Sequence, residues 1–136
     1  METNNKEVPT QSWQTTGIGT KEIKKLEPKP CKVLGVGMVA LANKKHPGKM
    51  IEKIVFKCEY PGRESPIEFS DCELIQNKEV IIKPTWYFED EDKNIQQGST
   101  LANVLLFYNA PTLKDMVGKT VQTALDARGY LCLKVY

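Results

Sequence analysis

The side chains best placed to do chemistry in this chain are lysines and aromatics, and the chemistry they fit is the gripping of an anionic strand. Lys44, Lys45 and Lys49 crowd the segment Asn43-Lys-Lys-His-Pro-Gly-Lys49, whose Pro-Gly pair marks a turn. Lys53 and Lys57 follow four residues apart in a run that alternates apolar and polar. Trp86, Tyr87 and Phe88 are consecutive, with Tyr60 upstream and Arg128 in a late turn. Lysines neutralise phosphates, and aromatic faces stack on bases whatever their identity. Lysine is a point charge that reads base edges poorly, and Arg63 and Arg128 are the only arginines, so such binding is expected to tolerate sequence.

Other chemistries are poorly supplied. His46 is the only histidine, and no Ser/His, Cys/His or close carboxylate pair outside an acidic turn stands ready for acid–base work. No enzyme activity, metal or cofactor is implied. The four cysteines, Cys31, Cys58, Cys72 and Cys132, are too far apart for a zinc pair and read as reduced core thiols. Gly35-Val-Gly37 lacks the third glycine and the following helix of a dinucleotide loop. Asp90, Asp92 and Asn94 start like a calcium loop, but Ile95 and Leu101 stand where glycine and glutamate are needed.

The net charge is +2 over 136 residues, unevenly spread. Residues 1–60 carry eleven lysines against six glutamates, and residues 61–136 carry eight basic against eleven acidic side chains. No apolar run reaches the roughly 18–20 residues that cross a membrane, and Met-Glu-Thr-Asn-Asn is too polar for a signal peptide. An intracellular, reducing setting (the cytoplasm) is the expectation.

These side chains need elements to position them. Residues 1–28 lack apolar periodicity and read as a flexible polar arm carrying Trp13; the domain then spans 29–136. A first strand over about Lys32 to Ala42 is almost continuously apolar and is expected to be buried on both faces, with Gly35 and Gly37 marking a bend or a close backbone approach. In a second strand, about Met50 to Tyr60, Ile54, Phe56 and Cys58 take the core face and Lys53, Val55 and Lys57 the outer face. A third starts near Pro66, runs through Ile67 and Phe69, and extends by a hairpin at Gln76-Asn77-Lys78 whose return strand ends at Pro84.

Alternation puts Trp86 and Phe88 on one face and Tyr87 on the other, so at least one aromatic lies outside the core. The competing arrangement has Trp86 and Phe88 inside and Tyr87 over a strand edge. A helix from Ser99 to Tyr108 is capped by Ser99, carries the stripe Leu101, Val104, Leu105 and Tyr108, and ends at Asn109 before Pro111. Thr112 and Asp115 have capping-box spacing for one more helical turn ending at Gly118. Strands at Lys119–Leu125 and Tyr130–Tyr136 flank the turn Asp126-Ala-Arg-Gly129.

The order is strand, strand, strand, helix, strand, strand. With its Gly98-Ser99 helix cap, its Leu113-x-x-x-x-Gly118-Lys119 lead into the fourth strand and its Gly129-Tyr-Leu131 lead into the fifth, residues 30–136 resemble small OB-fold single-stranded-DNA-binding proteins of phages and archaea. The resemblance implies a mainly β, five-stranded Greek-key barrel with one helix between its third and fourth strands. It also implies a ligand surface on the second and third strands and adjoining loops, mapping to Lys44, Lys45, Lys49, Lys53, Lys57 and Arg128, with Tyr60, Trp86 and Tyr87 for stacking. Single-stranded nucleic acid, with DNA foremost, and replication or viral proteins are the partners it implies. The acidic run 89–92 and the near-neutral charge depart from that pattern. The alternative is an OB-like protein-interaction module of a viral or replisome assembly.

Overall fold

The computed structural model describes residues 12–20, 26–42, 45 and 48–136. A short 3-10 turn at Ser12–Thr15 precedes seven strands: β1 (Cys31–Ala42), β2 (Met50–Glu59), β3 (Ile67–Phe69), β4 (Asp71–Gln76), β5 (Glu79–Pro84), β6 (Thr120–Leu125) and β7 (Leu131–Val135). The helix α1 (Thr100–Phe107) and a 3-10 turn at Leu113–Met116 lie between β5 and β6. The protein is mainly β, with the strands in one sheet of order β3-β2-β1-β6-β7-β4-β5. All neighbours are antiparallel except β4 and β7. Among the described residues, no helix is long and apolar enough to cross a membrane.

Seven strands, not five, and a sheet with two ends rather than a closed five-stranded barrel, correct the expected architecture. Two local events account for the count. The expected third strand breaks at Ser70, with β3 pairing to β2 and β4 pairing to β7. The return strand β5 then adds a hairpin arm to β4, through a turn in which Asn77 and Lys78 take φ of 52° and 65°. Two consecutive left-handed residues match the right-handed twist of the flanking strands.

After β5 the chain leaves β4 and comes back to β2. Thr85 donates its N–H to Ser70 O at 3.0 Å, its carbonyl accepts from Ile54 N–H at 2.9 Å, and Tyr87 N–H bonds Glu52 O at 2.8 Å. The Thr85 side chain is fully buried, with Oγ1 2.7 Å from Ile54 O and 2.9 Å from Ser70 O.

The core follows strand alternation and the helical stripe. Ile54, Phe56 and Cys58 of β2 point inward and are essentially sealed, as are Val33, Val121 and Leu133. Helix α1 adds Leu101, Val104 and Leu105. Ser99 caps it by accepting from Ala102 N–H at 3.1 Å, and Asn109 follows its end at φ 54°. Tyr108 pins the helix to the sheet, its hydroxyl donating to Lys134 O and accepting from Gln122 N–H. Thr112 and Asp115 form the expected capping box, and Met116 is buried behind it.

The first strand is a second correction. Only Cys31 and Val33 of β1 are buried, whereas Leu34, Met38, Val39 and Leu41 are each more than 40% exposed. Past the bulge between Val33 and Gly35, Val36 and Met38 lie opposite the sealed Phe56 and Ile54, and Val36 packs against the core, but Met38, Val39 and Leu41 are left largely uncovered toward the far end of the β1–β2 ribbon. A Cβ on Gly35 or Gly37 would meet nothing within 4 Å. The register shifts between Val33 and Gly35, and among the described residues nothing lies where either glycine's side chain would be.

On the N-terminal side, Leu26 packs against the core, and the Tyr60 hydroxyl holds Glu27 by donating to its carbonyl at 2.7 Å and accepting from its N–H at 3.1 Å. Lys29 is tied to Thr123 through both its N–H and carbonyl.

The Thr85 junction predicts a stability effect out of proportion to one hydroxyl. Thr85→Val keeps the shape but strips the donor from a buried carbonyl pair. It is expected to lower unfolding free energy by about 1–3 kcal/mol, read as a shifted urea midpoint at unchanged slope.

Candidate nucleic-acid interface

Directly opposed residues of an antiparallel pair share a face, so the register of β2 with its neighbours defines the outer surface rung by rung. Lys57 lies between Gly35 of β1 and Glu68 of β3. Val55 lies opposite Gly37, and Lys53 lies between Val39 and Trp86, the latter through an isolated bridge beyond β5. Because both glycines lack side chains, the β1 half of two rungs is bare backbone. The resulting shallow groove has a volume of about 270 Å³, with Gly35, Gly37, Val55, Lys57 and Glu68 among its walls.

Lys53 is held in place. Its Nζ is 3.0 Å from Asp71 Oδ1 and 5.3 Å from the Trp86 ring centroid. A cation over an indole face is attracted by the ring quadrupole, so Asp71, Lys53 and Trp86 form one ordered unit. Phe88, on the Trp86 side of the chain and 45% exposed, shares a second groove of about 340 Å³ with Trp86, Lys83, Gln96 and the start of α1 at Gly98–Thr100. The Val39–Lys53–Trp86 rung stands between the two grooves.

Tyr87 points the other way. It packs against the core and its hydroxyl donates to Glu89 at 2.7 Å, a bond that raises its pKa. The competing arrangement of the aromatics is therefore reversed: Tyr87 is the inward residue, and Trp86 and Phe88 face out. Tyr60 is also removed from the expected surface. It is 5% exposed, bonded to Glu27 and covered by Lys29 at 5.5 Å, so its ring has no open face for a base.

The remaining cations lie elsewhere. Lys45 and Lys49 are exposed in the connection between β1 and β2, past the Ala42–Met50 rung, and Lys44 lies outside the described residues. Arg128 is exposed on the β6–β7 turn, 3.2 Å from Asp126 and 5.2 Å from the Tyr130 ring centroid. The Asp126 carboxyl is held below the usual range by the N–H of Tyr130 and by Arg128. The structure thus gathers Lys53, Lys57 and Trp86 on one face and places Tyr60, Tyr87, Lys45, Lys49 and Arg128 elsewhere.

Comparison with family models, curated proteins and solved structures returned no match. The arrangement must be read from its own chemistry. Sequence reasoning missed the neighbours Asp71 and Glu68, which no local pattern connects to β2, and Phe88, whose exposure depends on which aromatic turns inward. Gly35 and Gly37, two apart on one strand face, were the available signal for a bare strip.

Nothing in the site resembles an activated nucleophile. All four cysteines are free and buried. Burial pushes the thiols of Cys58, Cys72 and Cys132 up to about 12, and that of Cys31 upward. Among the described residues, no three His, Cys, Asp or Glu side chains are grouped to hold a metal; His46 lies outside them.

The thiols give a signed pH dependence. Their folded pKa values lie above the unfolded value of 9.0, so the folded state keeps protons that the unfolded chain releases. Their contribution is complete below pH 9 and is lost as pH rises from about 9 to 12. Denaturant midpoints are expected to fall across that window, and less so in Cys58→Ala compared with its own neutral-pH value. Thiol-specific reagents are expected to label the native protein far more slowly than the unfolded chain.

Proposed function

We propose that this protein binds single-stranded nucleic acid, DNA foremost, without strong sequence preference and without catalysis, on an OB-like scaffold. The observation carrying the reading is the Lys53–Trp86 unit beside the glycine-stripped rungs of β1 and β2. A half-buried aromatic with a cation over its ring, on a strip open enough for a sugar–phosphate chain, supports base stacking with phosphate contact.

The chain path supports the scaffold. If β3 and β4 are one strand kinked at Ser70 and β5 is an added hairpin arm, five strands remain, with β1 pairing to both β2 and β6 and the helix between the third and fourth strands. That is the path of a partly open Greek-key barrel, whose second and third strands commonly carry the ligand. A role in replication or repair, and a viral or archaeal setting, extend the same resemblance.

One observation favours a second reading, a protein-interaction module. Lys53 is paired with Asp71 and Lys57 lies opposite Glu68, which leaves the face close to neutral. A neutral face with exposed apolar side chains is also suited to another protein surface.

Titration with single-stranded oligonucleotides separates the two. Trp86 fluorescence is expected to be quenched by single-stranded and not by double-stranded DNA, measured in Trp13→Phe because Trp13 is itself 71% exposed. Trp86→Ala is expected to weaken binding by about 1–3 kcal/mol, and Lys57→Ala more modestly. The logarithm of affinity should fall with that of salt by about 0.7 per phosphate contact. Unchanged fluorescence and no retarded complex at low salt would leave the protein-interaction reading in its place.

A further inference from the structure

The free edge of β1 offers a stronger signal than its side chains. On one side β1 pairs with β2 to its end at Ala42. On the other, β6 reaches only Cys31 and Lys32, and Val33 is bonded to Gly118 and Lys119. From Leu34 to Ala42, no strand of the described residues covers that second edge. Alternate residues of a strand direct both N–H and C=O to the same side, so among the described residues this stretch presents a row of donors and acceptors without strand partners.

Proteins normally guard such edges with charge, proline or brevity. The two ends of the sheet follow that rule: β3 is three residues long and contains Glu68, and β5 contains Glu79, Lys83 and Pro84. The β1 edge does not. Its sequence, Leu-Gly-Val-Gly-Met-Val-Ala-Leu-Ala, has neither a charge nor a proline. Val36 packs against the core, but Leu34, Met38, Val39 and Leu41 are largely exposed, Met38 at 46% and Val39 at 45%. An unguarded edge beside partly exposed apolar side chains is the signature of a strand that is paired in use.

We infer that the edge of β1 from Leu34 to Ala42 is a homodimer seam, pairing antiparallel with the same strand of a second copy. A second copy fits better than an unrelated strand for two reasons. The free stretch is the same length in both partners, so one two-fold axis satisfies both edges at once and leaves no open end for further growth. The stretch is also uncharged throughout, so superposing it on its own reverse brings no like charges together. The two-fold runs perpendicular to the sheet, giving a four-stranded β2-β1-β1-β2 ribbon with the Lys53 faces of both copies on the same side.

Sedimentation equilibrium of the full chain from low to high micromolar concentration tests this. A reversible monomer–dimer equilibrium is expected. Met38→Lys combined with Ala40→Lys is expected to raise the dimer dissociation constant by about tenfold or more, since four cations are brought to the seam. The variant hairpin remains serviceable because Ala40 lies opposite Glu52 within its own chain; unchanged far-ultraviolet circular dichroism verifies the fold. In the wild type, amide exchange resolved by residue is expected to show alternate N–H groups between 34 and 42 gaining protection as concentration rises, whether or not the variant folds. A wild type that stays monomeric throughout, a dimer indifferent to the substitutions in a folded variant, or a dimer without protection in this stretch overturns the inference. Oligonucleotide binding can fail without touching these outcomes.

Discussion

The structure turns on the burial of Thr85. Its N–H, carbonyl and hydroxyl all engage backbone groups, joining Ser70 at the break between β3 and β4 to Ile54 in the middle of β2. A strand leaving one neighbour for another exposes polar backbone at the point of departure, and buried peptide groups left unpaired are costly. Thr85 meets that need from the far end of the β4–β5 hairpin. The same junction decides the candidate site, because a residue held inward at 85 turns Trp86 outward onto the Lys53 rung and Tyr87 back toward the core. The placement of the aromatics is thus a consequence of a backbone junction and not of their own hydrophobicity.

That dependence separates what could be read along the chain from what could not. Features set within a few residues were legible: the inward set Ile54, Phe56 and Cys58, the Ser99 cap, the left-handed Asn109 and the Thr112–Asp115 box. Each is local, governed by alternation, helical period or a cap. Features set by partners distant in sequence were not. Alternation separated Trp86 from Tyr87 but could not say which faced inward, since Thr85, Ser70 and Ile54 decide that jointly. The split of the third strand at Ser70 had no local signal either. The apolar run of β1 was legible as composition and misleading as burial, because a strand that leaves most of its far half uncovered and a strand buried on both faces have the same sequence pattern.

Charge shows the same difference between sequence and space. The first 60 residues hold a clear surplus of lysine, yet the acidic side chains that meet Lys53 and Lys57 come from the segment beyond residue 61. Folding brings Asp71 to Lys53 at 3.0 Å and places Glu68 across from Lys57. A lysine held this way has already lost much of its side-chain freedom, so less entropy remains to be lost on binding. Its attraction for a phosphate is correspondingly offset by the neighbouring carboxylate.

A face built like this has to bind by shape more than by charge. Long-range attraction between a near-neutral strip and an anionic strand is weak and screened by salt, so the free energy must come from contact. The bare rungs at Gly35 and Gly37 permit close approach, and Trp86 offers an aromatic surface whose orientation Lys53 and Asp71 have fixed beforehand. Those two properties are coupled through β1. Glycines that leave its outer face open also leave the strand without side chains that would shield its edge, and the apolar residues around them carry no charge to repel another strand. The sequence that makes the groove flat is therefore the sequence that leaves the ribbon able to pair, and a substitution that protected one would obstruct the other.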